Sequence, residues 1–321
     1  MISEWIEVKV TDRTLLAEDI VGLILAKADG SALPPFTAGA HIDVELPNGM
    51  TRQYSLSNSS SDASHYRIGV LLDPATRGGS KSVHEDLHVG STIRISEPRN
   101  HFPLSDGSHS ILFAGGIGIT PVLCMAQALA DQEKSFELHY CSRTKAKMAY
   151  KEEIAAGNFA GKVHFHFDDG PKEQQLEIKK ILANPAPDTH FYVCGPRGFM
   201  DFVIKSAHDL GWPEDNIHFE YFSGAHIEHL DGDMPFQVKI VSTGQIIDVS
   251  TEETITQALA KSGVDLPVSC EQGICGTCVT GILDGIPDHR DMYFTDAEKE
   301  ANDQFTPCCS RSRSPLLLLD L

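Results

Sequence analysis

Five cysteines near the carboxyl end of this 321-residue chain are spaced for iron–sulfur chemistry. Cys270, Cys275 and Cys278 form a C-x4-C-x2-C run, and the adjacent pair Cys308 and Cys309 follows. Three thiolates in a short run and a fourth from a distance are the ligand spacing of a plant-type [2Fe–2S] cluster. Zinc is the competing interpretation, but zinc sites favour C-x2–4-C pairs in symmetrical sets. We therefore predict a [2Fe–2S] cluster held by the three run cysteines and Cys308, with Cys309 as the alternative fourth ligand.

A glycine-rich turn in the middle of the chain could bind a pyrophosphate. It follows an apolar run at 111–114 and precedes a helical pattern at 122–130. Gly115, Gly116 and Gly118 would let the backbone approach phosphates, while Thr120 could cap the helix and Pro121 suits its first turn. Free amides at a helix start attract phosphate. The alternative is a purely structural turn.

A second motif of the same block favours the nucleotide interpretation. Cys194, Gly195 and Pro196 end its last long predicted strand. Doubly wound sheets place their ligands at this carboxyl edge.

The first hundred residues contain two further segments that suit a nucleotide. Arg52 and Tyr54 share one face of a predicted strand and Ser55 the other, because side chains alternate along a strand. The arginine could hold a phosphate and the ring could contact a flavin, although an ordinary strand is the alternative. A later turn adds a second phosphate cradle ahead of a helix, with Gly79, Ser80 and Ser82.

One motif is better explained without chemistry. The segment from His84 to His88 matches H-E-x-x-H, the zinc-protease pattern. Val89 and Gly90 end the helix at once, and no third ligand is evident. We interpret the segment as a short solvated helix.

Secondary-structure patterns divide the chain into three folded blocks. Residues 1–102 contain short β-prone runs and predict an antiparallel β-barrel. Strands alternate with helices in residues 103–222, which predicts an α/β domain with a parallel sheet. Residues 223–234 are polar and read as a linker. Residues 235–321 predict a mixed α+β domain that holds the cysteine loop.

Composition and charge limit the partners and the cellular compartment that we expect for this protein. The net charge of −19 disfavours nucleic acid and anionic membranes, which require basic surfaces. No apolar run approaches the ~20 residues that span a bilayer. The first residues lack the features of a signal peptide, and the cysteines do not read as a disulfide framework. We expect a cytoplasmic protein.

Together these motifs resemble the phthalate dioxygenase reductase family, the reductase components of Rieske non-haem iron oxygenases. The resemblance covers essentially the whole chain, in the order flavin barrel, nicotinamide domain and plant-type ferredoxin of the β-grasp type. Further segments extend it, namely those starting at Glu220, Pro287 and Cys308.

The resemblance implies roles for individual residues. The flavin would be FMN, with its phosphate held by Arg52, Ser80 and Ser82 and its isoalloxazine lined by Tyr54 and Ser55. Phe222 matches an aromatic near the flavin ring. The donor would be NADH, while Ser142 and Arg143 follow the second nicotinamide-domain strand, where a 2′-phosphate of NADPH could be received.

The implied activity is an NADH-dependent reductase that passes electrons through FMN and the cluster to a terminal oxygenase. The hydride would move from nicotinamide C4 to flavin N5, with Ser55, Cys194 and Phe222 nearby. The acidic carboxyl-terminal block, with 6 Lys and Arg against 13 Asp and Glu, suggests docking to a basic patch on the partner. The alternatives are a reductase for another monooxygenase type and a non-catalytic electron carrier or redox sensor.

Overall fold

The computed structural model describes residues 5–222 and 232–321. The chain divides after Phe222 into two units. The first unit contains an antiparallel and a parallel sheet, and the second contains a mixed sheet with a small two-stranded ribbon.

The antiparallel sheet of the first unit closes into a barrel. Its strands are β1 (Ile6–Ala17), β2 (Ile20–Ala26), β3 (His41–Glu45), β4 (Thr51–Ser55), β5 (Tyr66–Leu71) and β6 (Thr92–Ile95), in the order β4-β3-β6-β1-β2-β5. A bridge between Leu56 and Ile68 joins the two edges. Val8 and Val10 are buried on either side of exposed Lys9, the period of two that a one-sided sheet requires. One helix, α1 (Gly79–Asp86), follows β5.

The second sheet of this unit is entirely parallel. Its strands are β7 (His109–Gly115), β8 (Phe136–Ser142), β9 (Val163–Phe167), β10 (Thr189–Cys194) and β11 (Ile217–Glu220), in the order β11-β10-β7-β8-β9. The helices are α2 (Ile119–Asp131), α3 (Lys151–Ala156), α4 (Ile178–Ile181) and α5 (Arg197–Asp209). Short 3₁₀ turns cover Gly116–Gly118, Lys145–Lys147, Ala160–Lys162, Lys172–Gln174 and Glu214–Asn216.

The first unit has two apolar cores, and the first of them joins the barrel to the parallel sheet. The first core runs from the barrel to helix α2 and one face of the parallel sheet, through residues such as Leu56, Val122 and Tyr140. The second core packs α4 and α5 on the opposite face, around Phe191 and Trp212. The carboxyl ends of β10 and β11 are thereby held near the barrel.

The second unit is a mixed sheet with one helix packed against it. Its strands are β12 (Phe236–Ile240), β13 (Ile246–Val249), β14 (Thr280–Asp284), β16 (Gln304–Phe305) and β18 (Leu316–Asp320), in the order β13-β12-β18-β14-β16, while β15 (Pro287–Asp288) and β17 (Arg311–Ser312) form the ribbon. Helix α6 (Ile255–Lys261) begins with a capping box between Thr254 and Gln257, and α7 (Asp296–Ala301) with one between Thr295 and Glu298. The cysteine loop leaves the core between α6 and β14.

The predicted fold class is confirmed, but the structure corrects local details. Helix α2 begins at Ile119, earlier than the pattern indicated, because the 3₁₀ turn before it already winds the chain. Thr120 therefore lies inside the helix and does not cap it; its hydroxyl donates to the Ile117 carbonyl at 3.1 Å. Strand β11 and the strands after the cysteine loop were not predicted; all of them are only two to five residues long.

Two other predictions meet the structure differently. In the H-E-x-x-H segment, the ring of His84 contacts the Val70 carbonyl at 3.0 Å, which suits a helix packed on the barrel. Most of the predicted linker lies outside the described residues. Its described end belongs to the second unit, because Asp233 pairs there with Arg290 and Arg311. None of the described helices has the length and apolar character needed to cross a bilayer.

Candidate functional site

The cysteine loop brings five buried thiols together. Cys270 and Cys275 are mutual neighbours, and a thiol–thiol hydrogen bond lowers the pKa of Cys275 to about 6 while it raises the pKa of Cys270. Cys308 contacts Cys278 and Cys309, which raises its pKa. Four of the five thiols thus form two pairs, one from the run alone and one that joins Cys278 to the distant segment. This pairing would suit a [2Fe–2S] cluster, in which each of two irons takes two protein sulfurs.

Backbone amides also point at these sulfurs. The amides of Gln272 and Thr277 donate to the sulfurs of Cys270 and Cys275 at 3.3 and 3.5 Å. Such donors stabilise thiolate charge and tune a cluster's potential. The loop can turn this sharply because Gly273 and Gly276 have φ values of 69°.

The neighbouring thiol of Cys309 has other partners. Its Sγ lies 3.2 Å from the Thr306 hydroxyl. A Cβ on Gly273 would fall 2.4 Å from this sulfur, so the loop backbone packs directly on it. These contacts favour Cys308 as the fourth ligand, and the assignment stays a prediction.

In the glycine-rich turn and at the end of β10, the structure shows why Gly118 and Gly195 are glycines. They let two backbone segments pack together, more than they open space for a phosphate. A Cβ on Gly118 would lie 2.3 Å from the Cys194 carbonyl oxygen, and one on Gly195 would lie 2.9 Å from the Cα of Gly115. The glycine-rich turn and the end of β10 therefore touch backbone to backbone. Gly116 differs, because it has a φ of 52° and open space where a side chain would stand. Pro121 lies in the first turn of α2, as predicted.

The most informative contact joins the barrel to the end of the parallel sheet. The Ser55 hydroxyl donates to Oε2 of Glu220 at 3.4 Å, across 165 positions of sequence. Glu220 is also the register partner of Cys194 on the adjacent parallel strand. His41 on β3 pairs with Ser55 on β4. Its Nδ1 lies 3.8 Å from Glu220 Oε1. Two predicted catalytic residues, Ser55 and Cys194, thus meet around Glu220.

Burial keeps the side chains of Glu220, Cys194 and His41 uncharged at pH 7. Desolvation raises the pKa of Glu220 to about 8 and raises the pKa of Cys194 well above its usual value. Desolvation, together with the Arg99 charge, lowers the pKa of His41 to about 4. A protonated carboxyl, a thiol and a neutral imidazole therefore line the junction.

The raised pKa of Glu220 predicts that the stability of the first unit depends on pH. The folded carboxyl keeps its proton to about pH 8, whereas an unfolded glutamate loses it near the reference value of 4.5. Stability from this group is therefore full below pH 4.5 and is lost as the pH rises towards 8. We expect Glu220→Gln to gain about 4 kcal/mol on wild type between pH 5 and pH 8.5.

Tryptophan fluorescence during thermal unfolding measures this effect, because Trp5 and Trp212 both belong to the first unit. The exposed Glu177→Gln is the matched control and should show no such trend. A Glu220→Gln difference that does not change with pH would contradict the assignment.

The predicted flavin-binding residues differ in what their side chains contact. Arg52 lies across Gly79, since a Cβ there would meet its side chain at 2.8 Å. Tyr54 is partly buried, and desolvation raises its pKa. Ser80 donates to the Thr76 hydroxyl at 3.0 Å, and Ser82 donates to Asp86 at 2.7 Å, so its hydroxyl is already engaged within α1.

Unsatisfied polar atoms mark the Ser55 face of the barrel. Among the described residues, buried Gln53 Nε2 and both ring nitrogens of His41 have no hydrogen-bond partner. Asp43 pairs with Gln53 and His41 with Ser55 across β3 and β4, so these side chains share one face. Buried polar atoms without partners favour a ligand with several acceptors and donors, as a flavin ring has.

The remaining predicted residues lie at the same edge of the parallel sheet. Ser142 ends β8 and is buried, with its hydroxyl bonded to the Thr144 carbonyl at 3.0 Å. Arg143 follows and is exposed. Phe222 is 36% exposed, two residues beyond Glu220. Sequence reasoning gave no role to His41, Glu220 or Tyr140, whose hydroxyl donates to the Gly116 carbonyl at 3.2 Å.

Comparison with known domains defines the class. Residues 112–205 match the oxidoreductase NAD-binding domain, and residues 238–313 match the 2Fe-2S iron-sulfur cluster binding domain. The chain is therefore an oxidoreductase that combines an NAD-binding domain with an iron–sulfur domain.

Whole-chain relatives identify the family. Vanillate O-demethylase oxidoreductase of Pseudomonas sp. (strain HR199 / DSM 7063) is 55% identical over 98% of this chain and 100% of that protein. The structure of phthalate dioxygenase reductase is 36% identical, with a TM-score of 0.78 over 99% of this chain and 98% of that one. An intact type IV self-sufficient cytochrome P450 monooxygenase is 34% identical, with a TM-score of 0.84 over 99% of this chain and 41% of that one. The chain belongs to the phthalate dioxygenase reductase family, as its motifs predicted.

Proposed function

We propose that this chain oxidises NADH and passes the electrons through FMN and a [2Fe–2S] cluster to a terminal oxygenase. The observation that carries the proposal is the meeting of Ser55, Glu220 and Cys194 where the barrel contacts the parallel sheet. A flavin on the barrel and a nicotinamide at the sheet edge would be in contact there. A non-catalytic electron carrier would not need this buried junction.

Each of the three folded blocks is proposed to bind one cofactor. Residues 1–102 would bind FMN, 103–222 the nicotinamide nucleotide and 235–321 the cluster, with 223–234 as the linker. The extents of the sheets support this division, since they cover Ile6–Ile95, His109–Glu220 and Phe236–Asp320.

The residues present fit the two resident groups. Arg52 and the turn at Gly79 would hold the FMN phosphate, while Tyr54, Ser55 and Gln53 would contact the ring. Cys270, Cys275, Cys278 and Cys308 would hold the cluster. When bound, the flavin accepts a hydride and the cluster moves single electrons, which is why a chain that serves an oxygenase needs both.

The junction residues would orient the reactants and exclude water. Because Glu220 and Cys194 keep their protons at pH 7, they present no negative charge to the bound nucleotide, and Ser55 can still hydrogen-bond in either direction. The backbone contact between Gly118 and Cys194 fixes both loops that would flank the nicotinamide. Phe222 would cover the flavin from the end of the sheet.

The donor would be NADH, with NADPH as a second substrate. Ser142 is already bonded within its own turn, so it offers little to a 2′-phosphate. Arg143 is exposed and has the charge that such a phosphate needs.

We propose a Rieske-type oxygenase as the partner, one that demethylates an O-methylated aromatic acid such as vanillate. The support is the 55% identity over the whole length of a vanillate O-demethylase oxidoreductase. A haem monooxygenase is the second candidate, because the chain matches part of a P450 monooxygenase equally well in fold.

The second unit offers an acidic surface for this partner. Asp296 and Glu300 are exposed on α7, and Tyr293 just before it is also exposed. The Tyr293 ring lies against Gly276 of the cysteine loop, since a Cβ there would meet the ring at 2.3 Å. Docking at α7 would therefore bring a partner close to the cluster.

Reconstitution tests the function directly. The full chain, loaded with its cofactors, is mixed with the oxygenase component of a vanillate O-demethylase, and formaldehyde release is measured with NADH or NADPH. We expect turnover that is faster with NADH and falls several-fold between low and high salt. The double variant Asp296→Lys with Glu300→Lys should raise the KM for the oxygenase about tenfold.

A matched charge reversal provides the control. Glu173 and Glu177 are exposed acids of the first unit, and their replacement by lysine should leave turnover unchanged. Rapid reduction of a P450 haem, with no turnover by the demethylase, would favour the second candidate. Failure of NADH and NADPH to bleach the flavin and cluster absorbance would contradict the reductase function itself.

A further inference from the structure

Five ionisable side chains lie on one face of β7, β8 and β9 without a role in the reductase site. They are His109, Glu137, His139, His164 and His166. Alternate residues of a strand face the same side, and His139 pairs in register with His164. Glu137 and His164 are each the second residue of their strand, whereas the nucleotide edge is formed where the strands end.

Hydrogen bonds determine where the protons of this cluster lie. The His166 Nδ1 is 3.2 Å from the Gln174 carbonyl, which can only accept, so Nδ1 carries a hydrogen. In a neutral His166 the Nε2 then accepts, and its neighbour at 3.0 Å is His139 Nδ1. His139 Nδ1 is therefore the donor, and the Nε2 of a neutral His139 has a free lone pair.

That lone pair faces a carboxylate. His139 is only 4% exposed, and among the described residues its Nε2 has no hydrogen-bond partner. Oε2 of Glu137 lies 3.4 Å away. Glu137 is partly exposed, and a cation between its oxygen and the His139 nitrogen would satisfy both atoms.

We propose that Glu137, His139 and His164 form a binding site for a divalent metal of the zinc class. One ligand atom from each residue lies within 4.8 Å of the others. His164 Nε2 is 4.0 Å from Glu137 Oε2, so bonds of about 2.0–2.2 Å to a shared ion need only small side-chain movements. Two imidazoles and one carboxylate favour zinc or a similar transition metal over magnesium or calcium.

The surrounding contacts are those of a metal site. His166 orients His139 from behind, the role that a hydrogen-bonded neighbour plays for most metal-bound histidines. His109 Nε2 lies 3.9 Å from the other Glu137 oxygen and could hold the carboxylate or supply a fourth ligand. A bound ion would join edge strand β9 to β8, which makes the site a structural clamp.

Metal analysis of the holoprotein tests the proposal. The chain with its cluster and flavin is dialysed against micromolar zinc chloride, washed, and analysed for zinc and iron. We expect about one zinc per wild-type chain and a melting temperature of the first unit that rises with zinc. His164→Gln and Glu137→Gln should weaken zinc binding at least about 100-fold with no loss of iron.

The control is His208→Gln, since His208 has a single carboxylate neighbour, Glu214, at 3.1 Å and is not part of a three-ligand group. It should bind zinc as wild type does. Wild-type protein that retains no zinc would overturn the proposal and show that a proton on His139 faces Glu137. Undiminished zinc binding by both His164→Gln and Glu137→Gln would also overturn the proposal.

Discussion

Cys308→Ser is expected to abolish the visible spectrum of the cluster, while Cys309→Ser keeps it. Cys308 contacts Cys278, so under the proposed assignment its loss would leave one iron with a single protein sulfur. Cys309 instead contacts the Thr306 hydroxyl, and a serine there could make the same hydrogen bond. We expect Cys308→Ser to lower electron delivery to an oxygenase at least about 100-fold.

The two variants separate the cluster from the flavin reaction. Ferricyanide accepts electrons directly from reduced flavins, so its reduction by NADH should change by less than about twofold in both variants. Absorbance and iron content measure the cluster, and ferricyanide turnover measures the first unit. A normal cluster in Cys308→Ser together with loss in Cys309→Ser would reverse the assignment.

Gly118→Ala is expected to disable the nucleotide site. The new methyl would lie 2.3 Å from the Cys194 oxygen and 2.6 Å from the Gly195 nitrogen, both backbone atoms that cannot rotate away. The turn and the end of β10 must separate, which should cost about 2–4 kcal/mol of stability. A displacement of about 1 Å at a reacting group can cost 100-fold in rate, so kcat/KM for NADH should fall by about that factor.

Gly161→Ala is the matched control, because it makes the same change in the same sheet-and-helix block. No atom lies within 4 Å of its added methyl. We expect its kcat/KM for NADH to match wild type and its free energy of unfolding to stay within about 0.5 kcal/mol of wild type. Near-normal NADH kinetics in Gly118→Ala would show that the backbone contact does not position the nucleotide.

Local sequence sufficed for features whose partners lie close along the chain. Three cluster cysteines fall within nine residues, so their spacing alone indicates the metal. The fold class followed from the change from alternating strands to strand–helix repeats. In the second unit only the strands after the cysteine loop were missed, because two to five residues carry too little periodicity.

Long-range contacts decided the candidate reaction site. Ser55 and Cys194 were proposed singly, and nothing in the sequence indicated that Glu220 would join them across 165 positions. The expected cap at Thr120 was wrong because tertiary contact pulls the preceding glycines into a 3₁₀ turn against Cys194. The histidines at 139, 164 and 166 showed no ligand spacing, since parallel strands bring them together only after a helix has returned the chain.

The amino-acid sequence by itself therefore determined the chemistry this protein can hold: a cysteine-bound cluster and two nucleotide cradles in a known order. Spacing encodes such sites because their ligands or turns are contiguous. Only the tertiary structure decided which side chains meet at the junction and what charge they carry. The pKa of Glu220 reaches about 8 because barrel and sheet together shield most of its side chain from water, and no local segment can do that.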